Sequence, residues 1–394
     1  MTIREVYLFY MRIGIDARLY GPKNGGLGRY LEQIIFFLEE IDKENEYIIF
    51  LYKDNFDLYQ ARNKRFKKVI FPYRWYSLSE QINFPRFIRK EKVDLMHFPH
   101  FNVPVFYSKK FVLTIHDLII SHFPDSRATT LSPLQYRFKL FGYHFVLSQA
   151  VKKAAKIIAV SQATKDDILK FYPKIREKKI EVIYEGVSAF PSKNDFNYDF
   201  LLKKYHLPKP YLLYFGAAYP HKNLKRLLRS FKIILEKYQK NIFLALGGKE
   251  DFFYRRLKNY AKDLGLSKKI FFLGFVPDED MPLIYKNALA YIFPSLKEGF
   301  GLPVLEAMSF GLPVVCSNLS SLPEIAGEAA LYFNPYREDE IAEKIYLLIS
   351  NEQLRQKLIE RGKERIKKFN WRDCAENTLN IYKSLLSNKY EEKK

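Results

Sequence analysis

Short apolar runs alternate along this chain with longer stretches of helical period. Residues 11–16, 47–52, 93–98, 111–115 and 157–161 form one set of runs, and residues 211–216, 242–246, 270–275, 290–294 and 330–333 a second. The continuous apolar character of Phe111-Val112-Leu113-Thr114-Ile115 is that of a parallel strand buried on both faces. Between the runs, Tyr30, Ile34, Phe37, Leu38 and Ile41 recur at helical spacing, as do Leu224, Leu227, Leu228, Phe231, Leu235 and Tyr238. Further helices are expected at 338–350, 351–368 and 372–387. Strands alternating with helices, twice over, predict an α/β protein of two doubly wound, Rossmann-like domains. The predicted boundaries are an N-terminal domain at 11–190, a polar, proline-bearing linker at 191–210, a C-terminal domain at 211–371 and a last helix at 372–390. Residues 1–10 fit poorly before the first strand, which makes Met11 the expected start. Residues 133–155, with Phe138, Phe141, Tyr143, Phe145, Val146 and Leu147, predict one long aromatic-rich helix ending in lysines. It could lie on a membrane, but a buried core helix is the expectation.

Composition agrees with a well-filled globular protein. The 394 residues exceed one ordinary core, and 48% of them are hydrophobic. Cys316 and Cys374 stand far apart, suggesting neither a disulfide framework nor structural zinc, and a reducing cytoplasm is expected. No apolar run has the length of a membrane span, and the N-terminus lacks a signal peptide's basic start and cleavage site.

The formal charge of +21 is spread evenly, with 31 basic against 20 acidic residues in 1–190 and 34 against 24 in 191–394. Its densest run is Arg62, Lys64, Arg65, Lys67 and Lys68, followed by Arg86, Arg89, Lys90 and Lys92. An anionic membrane surface would attract these residues, as would nucleic acid, and a solvated basic face needs no partner. A nucleic-acid-binding protein would interleave basic and aromatic residues on an exposed surface; here most aromatics fall in strands and helix faces, so nucleic acid is not the expected partner.

The stretch 293–324, FPSLKEGFGLPVLEAMSFGLPVVCSNLSSLPE, carries the chemistry. A strand tail passes through Glu298-Gly299-Phe300-Gly301 into a helix opening at Leu302-Pro303, so free backbone N–H groups form an anion site there. Glu298 and Glu306 beside it are acceptors suited to hydroxyl groups. Phosphate and hydroxyls together point to a nucleotide-sugar. Elsewhere, His116 follows the carboxyl end of the 111–115 run, where ligands bind in open α/β sheets. The run from Gly25 through Gly26 and Gly28 stands between strand and helix, either as a phosphate cradle or as a tight turn. Lys222 stands at a helix start, against the dipole unless an anion is near. No trio of His, Asp and Glu has metal-ligand spacing, and no cofactor is expected.

Glu298 to Glu306, with Gly-Phe-Gly-Leu-Pro between them, resembles the E-x7-E signature of retaining family 4 glycosyltransferases of the GT-B fold. Gly311-Leu312-Pro313, Ser321-Leu322-Pro323-Glu324 and Thr114-Ile115-His116-Asp117-Leu118 also match, and the resemblance spans nearly the whole chain. It implies two domains facing a cleft, the last helix crossing back to the N-terminal domain, and a cytoplasmic enzyme acting without metal, peripheral on the inner membrane face if the basic excess serves that end. In such enzymes Glu298 and His116 would meet the transferred sugar and Glu306 the ribose. Lys222, with His221 where the family has arginine, would grip the diphosphate, and Val276 would read the base. Gly26, Gly28, Gly216, Gly299, Phe300, Gly301 and Leu302 would line the donor. Glu185 stands where the family has asparagine, so a donor contact there is not expected. The nearest subset implies mannosyl transfer from GDP-mannose to a glycan or lipid-linked glycan. A nucleotide-sugar epimerase or a phosphorylase of the same fold is the alternative.

Overall fold

A computed structural model describes residues 10–124, 129, 131–187 and 198–391. Residues 1–9, ahead of the expected start at Met11, and the linker's first part, 191–197, lie outside the described residues. The chain divides into two compact units, the first built from 10–124, 131–186 and 371–391 and the second from 198–370.

The first unit holds a seven-stranded sheet among the described residues. Its strands are β1 (Arg12–Asp16), β2 (Glu46–Leu51), β3 (Phe66–Ile70), β4 (Leu95–Phe98), β5 (Phe111–Ile115), β6 (Lys156–Ala159) and β7 (Ile180–Val182). All pairs are parallel, in the order β3-β2-β1-β4-β5-β6-β7. Winding therefore reverses between β1 and β4, the switch point where ligands bind in such sheets. The second unit repeats the plan with β8 (Tyr211–Phe215), β9 (Phe243–Gly247), β10 (Ile270–Gly274), β11 (Ala290–Phe293), β12 (Val314–Ser317) and β13 (Ala330–Phe333). Its order, β10-β9-β8-β11-β12-β13, reverses between β8 and β11. Each unit therefore has the doubly wound, Rossmann-like topology expected of it.

Several elements differ from expectation. Basic Phe66–Ile70 is the edge strand β3, where lysines are tolerated. The Tyr198–Tyr205 helix occupies the second part of the expected linker, and Lys204 and Tyr205 both bond Asp280, so this part packs within the second unit. Residues 25–28 are not an open turn. Helix begins at Gly25, and Gly28 lets that helix approach the Gly21 carbonyl, which a Cβ would meet at 2.0 Å. The expectation of a buried core helix fails for most of Pro133–Lys153. Only Leu147, Ala150 and Val151 are buried; Tyr143 is half-buried against Phe101, while Leu134, Phe138, Phe141 and Phe145 are exposed.

The basic run at 62–68 is engaged by its own unit. Arg62 pairs with Glu39 at 3.1 Å and lies over Phe36, Lys67 pairs with Glu91 at 3.0 Å, and Lys68 donates to the Phe56 and Tyr59 carbonyls. No described helix is long and apolar enough to cross a membrane.

The Trp371–Glu391 helix returns to the first unit and packs on Gly25–Ile41. Arg372 pairs with Glu40 at 2.7 Å, and Tyr382 reaches the interior. There Tyr382 Oη meets His97 Nδ1 at 2.6 Å while His97 Nε2 meets Thr114 Oγ1 at 2.8 Å. His97 is a wholly buried member of β4. Burial lowers its pKa to about 3, so the folded state holds it neutral while an unfolded chain protonates it near pH 6.5. The contribution is complete above pH 6.5 and is lost as pH falls toward 3. Between pH 7 and 5 wild type should lose up to about 2 kcal/mol more unfolding free energy than His97→Gln, as read by urea denaturation.

Candidate functional site

In the second unit the expected donor-site residues gather at the carboxyl edge of the sheet, around the β8/β11 switch point. Gly216 ends β8 with φ +148°, and a Cβ there would strike Tyr214 Oη at 2.7 Å. The chain then forms a short turn at Pro220–Lys222 and enters the Leu224–Lys237 helix through Asn223, whose φ is +62°. Asparagine tolerates this left-handed conformation better than most residues. Its side chain donates to the Pro294 carbonyl at 3.1 Å and the Pro335 carbonyl at 2.8 Å, tying the loop after β8 to the loops after β11 and β13. The Leu296 N–H adds a bond to the His221 carbonyl at 2.8 Å.

This stitching brings Lys222 to Glu298. Nζ donates to both carboxylate oxygens, at 2.7 and 2.9 Å, and lies 5.7 Å from the centre of the Phe293 ring. Glu298 itself is buried and its backbone is fixed by Ser320, whose hydroxyl accepts from the Glu298 N–H at 3.2 Å and donates to its carbonyl at 2.6 Å. Ser321 Oγ donates to the Phe300 carbonyl at 2.7 Å. Gly301, at φ +112°, then turns the chain into the Leu302–Ser309 helix, with Pro303 in its first turn. Gly299, Phe300 and Leu302 are buried in that turn. Glu306, one turn on, is buried and accepts from Tyr285 Oη at 3.4 Å. Val276, just past β10, is buried near the same edge of the sheet.

At His221, burial, reinforced by the Lys222 cation and opposed by Glu298, lowers the imidazole pKa from its ordinary value to about 4. It is therefore neutral at physiological pH and stacks on Tyr219. The edge carries one lysine, two buried carboxylates, a neutral imidazole and the N–H groups of a helix start. Such a set can hold an anion and several hydroxyls together. Among the described residues, no group of three or more His, Cys, Asp or Glu could hold a metal ion.

In the first unit His116 follows β5, as expected, but both ring nitrogens are engaged. Nδ1 lies 2.9 Å from Glu185 Oε1 and Nε2 lies 3.1 Å from the Pro99 carbonyl, with Tyr30 edge-on to the ring at 4.7 Å. Glu185, buried, is thus a positioning partner of His116, a role that sequence reasoning missed because 69 residues separate the two. Beside Pro99, a small recess of about 20 Å³ at the β1/β4 switch is lined by Asp16, Leu27, Trp75, Tyr76 and His100. Gly28 is buried under the adjoining helix start, and Gly26 is exposed on it. Asn223, Ser320 and Ser321 were also missed. Asparagine before an apolar-periodic helix was the one available signal, for Asn223.

Comparison with known proteins places these features. Residues 24–189 match Glycosyltransferase Family 4 and residues 200–365 match Glycosyl transferases group 1. The O-antigen chain mannosyltransferase B of Escherichia coli is 30% identical over 303 residues, 76% of this chain and 76% of that protein. An uncharacterised glycosyltransferase of Methanocaldococcus jannaschii is 27% identical over 93% of this chain and 97% of its own length. Among solved structures, the sucrose-phosphate synthase of Thermosynechococcus elongatus has a TM-score of 0.76 at 18% identity, covering 96% of this chain and all of that one. The Anabaena protein HepE, solved with UDP and glucose, has a TM-score of 0.73 at 18% identity, covering 95% of this chain and all of its own. With a curated relative at this identity and coverage, and family matches across both halves, the chain belongs to the family 4 glycosyltransferases and is a glycosyltransferase of the GT-B fold.

Proposed function

We propose that this enzyme transfers mannose from GDP-mannose, with retention, to a glycan or lipid-linked glycan of surface-polysaccharide assembly at the inner face of an anionic membrane. The sugar is suggested by relatives such as the O-antigen chain mannosyltransferase B, and the observation that carries the reading is the Lys222–Glu298 pair beside the Leu302–Ser309 helix start. A transferase must neutralise charge growing on the leaving diphosphate, and Lys222 with the N–H groups after Gly301 would do so in a preorganised, partly desolvated setting. A neutral His221 would donate or accept one hydrogen bond there without adding charge. Glu298 would then be freed toward the sugar hydroxyls, while Glu306 would accept from the ribose. Gly216, Gly299, Phe300 and Leu302 would shape the donor's seat, and main-chain groups at Val276 would meet the base. Gly26 and Gly28 would bring the Gly25–Ile41 helix start toward phosphate or acceptor. His116, oriented by Glu185, would meet the sugar through Nε2 once that nitrogen leaves the Pro99 carbonyl. The recess at Trp75 and Tyr76 suits stacking against an acceptor sugar, making the first unit the acceptor side.

Glu306→Ala should weaken GDP and GDP-mannose binding by about 10- to 100-fold in calorimetry, the worth of a hydrogen bond to a charged group. Glu298→Gln should lower kcat at least about tenfold with little change in donor affinity. Wild-type transfer rates in both would sink the assignment.

EDTA should leave the rate of transfer unchanged, since Lys222 and backbone dipoles take the metal's usual charge-neutralising part. Loss of activity restored by Mg²⁺ or Mn²⁺ would contradict this.

Donor affinity should also report the state of His221. An anion favours the charged imidazole, so binding would take up a proton in a window opening near the free value of about 4, and affinity would fall as pH rises through it. The unliganded ring is neutral above about pH 6, so a ring that stays neutral in the complex should give wild type and His221→Gln parallel, flat GDP-mannose affinities to about pH 8.5. A wild-type affinity that declines over this range while His221→Gln does not would mean that the diphosphate recharges the ring.

A further inference from the structure

The Pro133–Lys153 helix is apolar on two opposite sides. Leu147, Ala150 and Val151 enter the core of the first unit. Leu134, Phe138, Phe141 and Phe145 face water, with 65%, 72%, 74% and 48% of their surfaces exposed. At about 100° per residue, spacings of four, three and four put them in one line within about 60°, opposite the buried trio. Single exposed apolar residues are ordinary, but a continuous stripe of four large ones marks an interaction surface.

Charge identifies what the stripe meets. The helix has no Asp or Glu in its 21 residues, while Arg137, Lys139, Lys152 and Lys153 are all exposed on it. Lys152 continues the line of the stripe, and Arg137 borders it. Where the helix ends, Lys153 Nζ donates to the Val105 carbonyl at 2.6 Å, and the next residue, Phe106, is 74% exposed. A straight aromatic ridge, flanked by cations and lacking acidic groups for polar pairing, complements a layer of anionic headgroups over hydrocarbon. In the basic run at 62–68, by contrast, Arg62 and Lys67 pair with carboxylates and Lys68 donates to carbonyls of its own unit.

We propose that this face docks the enzyme on an anionic lipid bilayer. The helix lies parallel to the surface, its Leu134–Phe138–Phe141–Phe145 stripe sits among the upper acyl chains, and Arg137 and Lys152 meet the phosphates. The consequence for catalysis rests on the reading that the acceptor is lipid-linked: docking confines the enzyme to the surface that holds the acceptor, so the stripe sets KM for a vesicle-borne acceptor and leaves the chemistry alone.

The test uses the full chain and vesicles of phosphatidylcholine with and without phosphatidylglycerol. Co-sedimentation should require the anionic lipid and weaken with salt. Phe138→Gln/Phe141→Gln/Phe145→Gln keeps good helix formers on an exposed face, and should lower partition at least about tenfold while leaving GDP-mannose affinity and transfer to a water-soluble acceptor at wild-type values. Arg137→Glu/Lys152→Glu should remove most of the dependence on anionic lipid. Partition by a protein that transfers no mannose would uphold the surface and sink only the functional reading. The proposal is overturned if wild type ignores anionic vesicles, if the triple variant binds them as wild type does, or if light scattering shows a dimer that the triple variant abolishes, which would make the stripe an interface between copies.

Discussion

Asn223 is the residue on which the second unit's site depends. A parallel sheet cannot be closed by hairpins, so every strand leads into a crossover and the loops at the carboxyl edge have no ladder of their own. Asn223 supplies the missing bonds, joining the loop after β8 to those after β11 and β13 through the Pro294 and Pro335 carbonyls. Its left-handed backbone also ends the Pro220–Lys222 turn and starts the following helix. Glycine would fit the conformation but bridge nothing. Aspartate would bring a charge and no donor to two buried carbonyls. Lys222 and Glu298, 76 residues apart, meet where this side chain and the Leu296 N–H bond to the His221 carbonyl hold their loops together.

Each unit then carries a carboxylate set against a nitrogen base, Lys222 with Glu298 and His116 with Glu185. Pairing of this kind gives little net stability, because desolvation of both partners offsets most of the attraction. Its value is positional. Under the proposed function, Glu298 would hold the lysine at the sheet edge until an anion competes for it, so that little reorganisation would be needed when charge develops nearby. The neutral His221 fits the same logic, since a second buried cation beside Lys222 would be repelled in the absence of ligand.

The strands were legible because burial on both faces leaves an unbroken apolar run, as at Phe111–Ile115, and the loop at 298–306 was legible because glycine, proline and glutamate have few other uses in that order. Phe66–Ile70 was not, because an edge strand keeps only part of the apolar signal and its two lysines read as a charge cluster. Nor was the Leu78–Lys90 helix, which carries Pro85 inside it. The pairing of His116 with Glu185, and of His97 with Tyr382 285 residues away, is a matter of tertiary placement that no local spacing encodes. For Pro133–Lys153 the helix was readable but not its setting, since apolar residues on opposite sides look the same in sequence whether both sides or one are covered.

That ambiguity bears on how the basic excess is understood. A formal charge of +21 suggests a polyanionic partner, and the densest run suggests where it would bind. The run at 62–68 nevertheless spends much of its charge on Glu39, Glu91 and backbone carbonyls, and the lysines of β3 help to keep an edge strand from pairing with another chain. Cation density along the sequence thus measures attraction poorly. What matters is whether the cations have acidic neighbours in the fold and whether apolar surface stands beside them. By both criteria the sparser charges of the Pro133–Lys153 helix outrank the denser ones, because no carboxylate shares that helix and four large apolar side chains do.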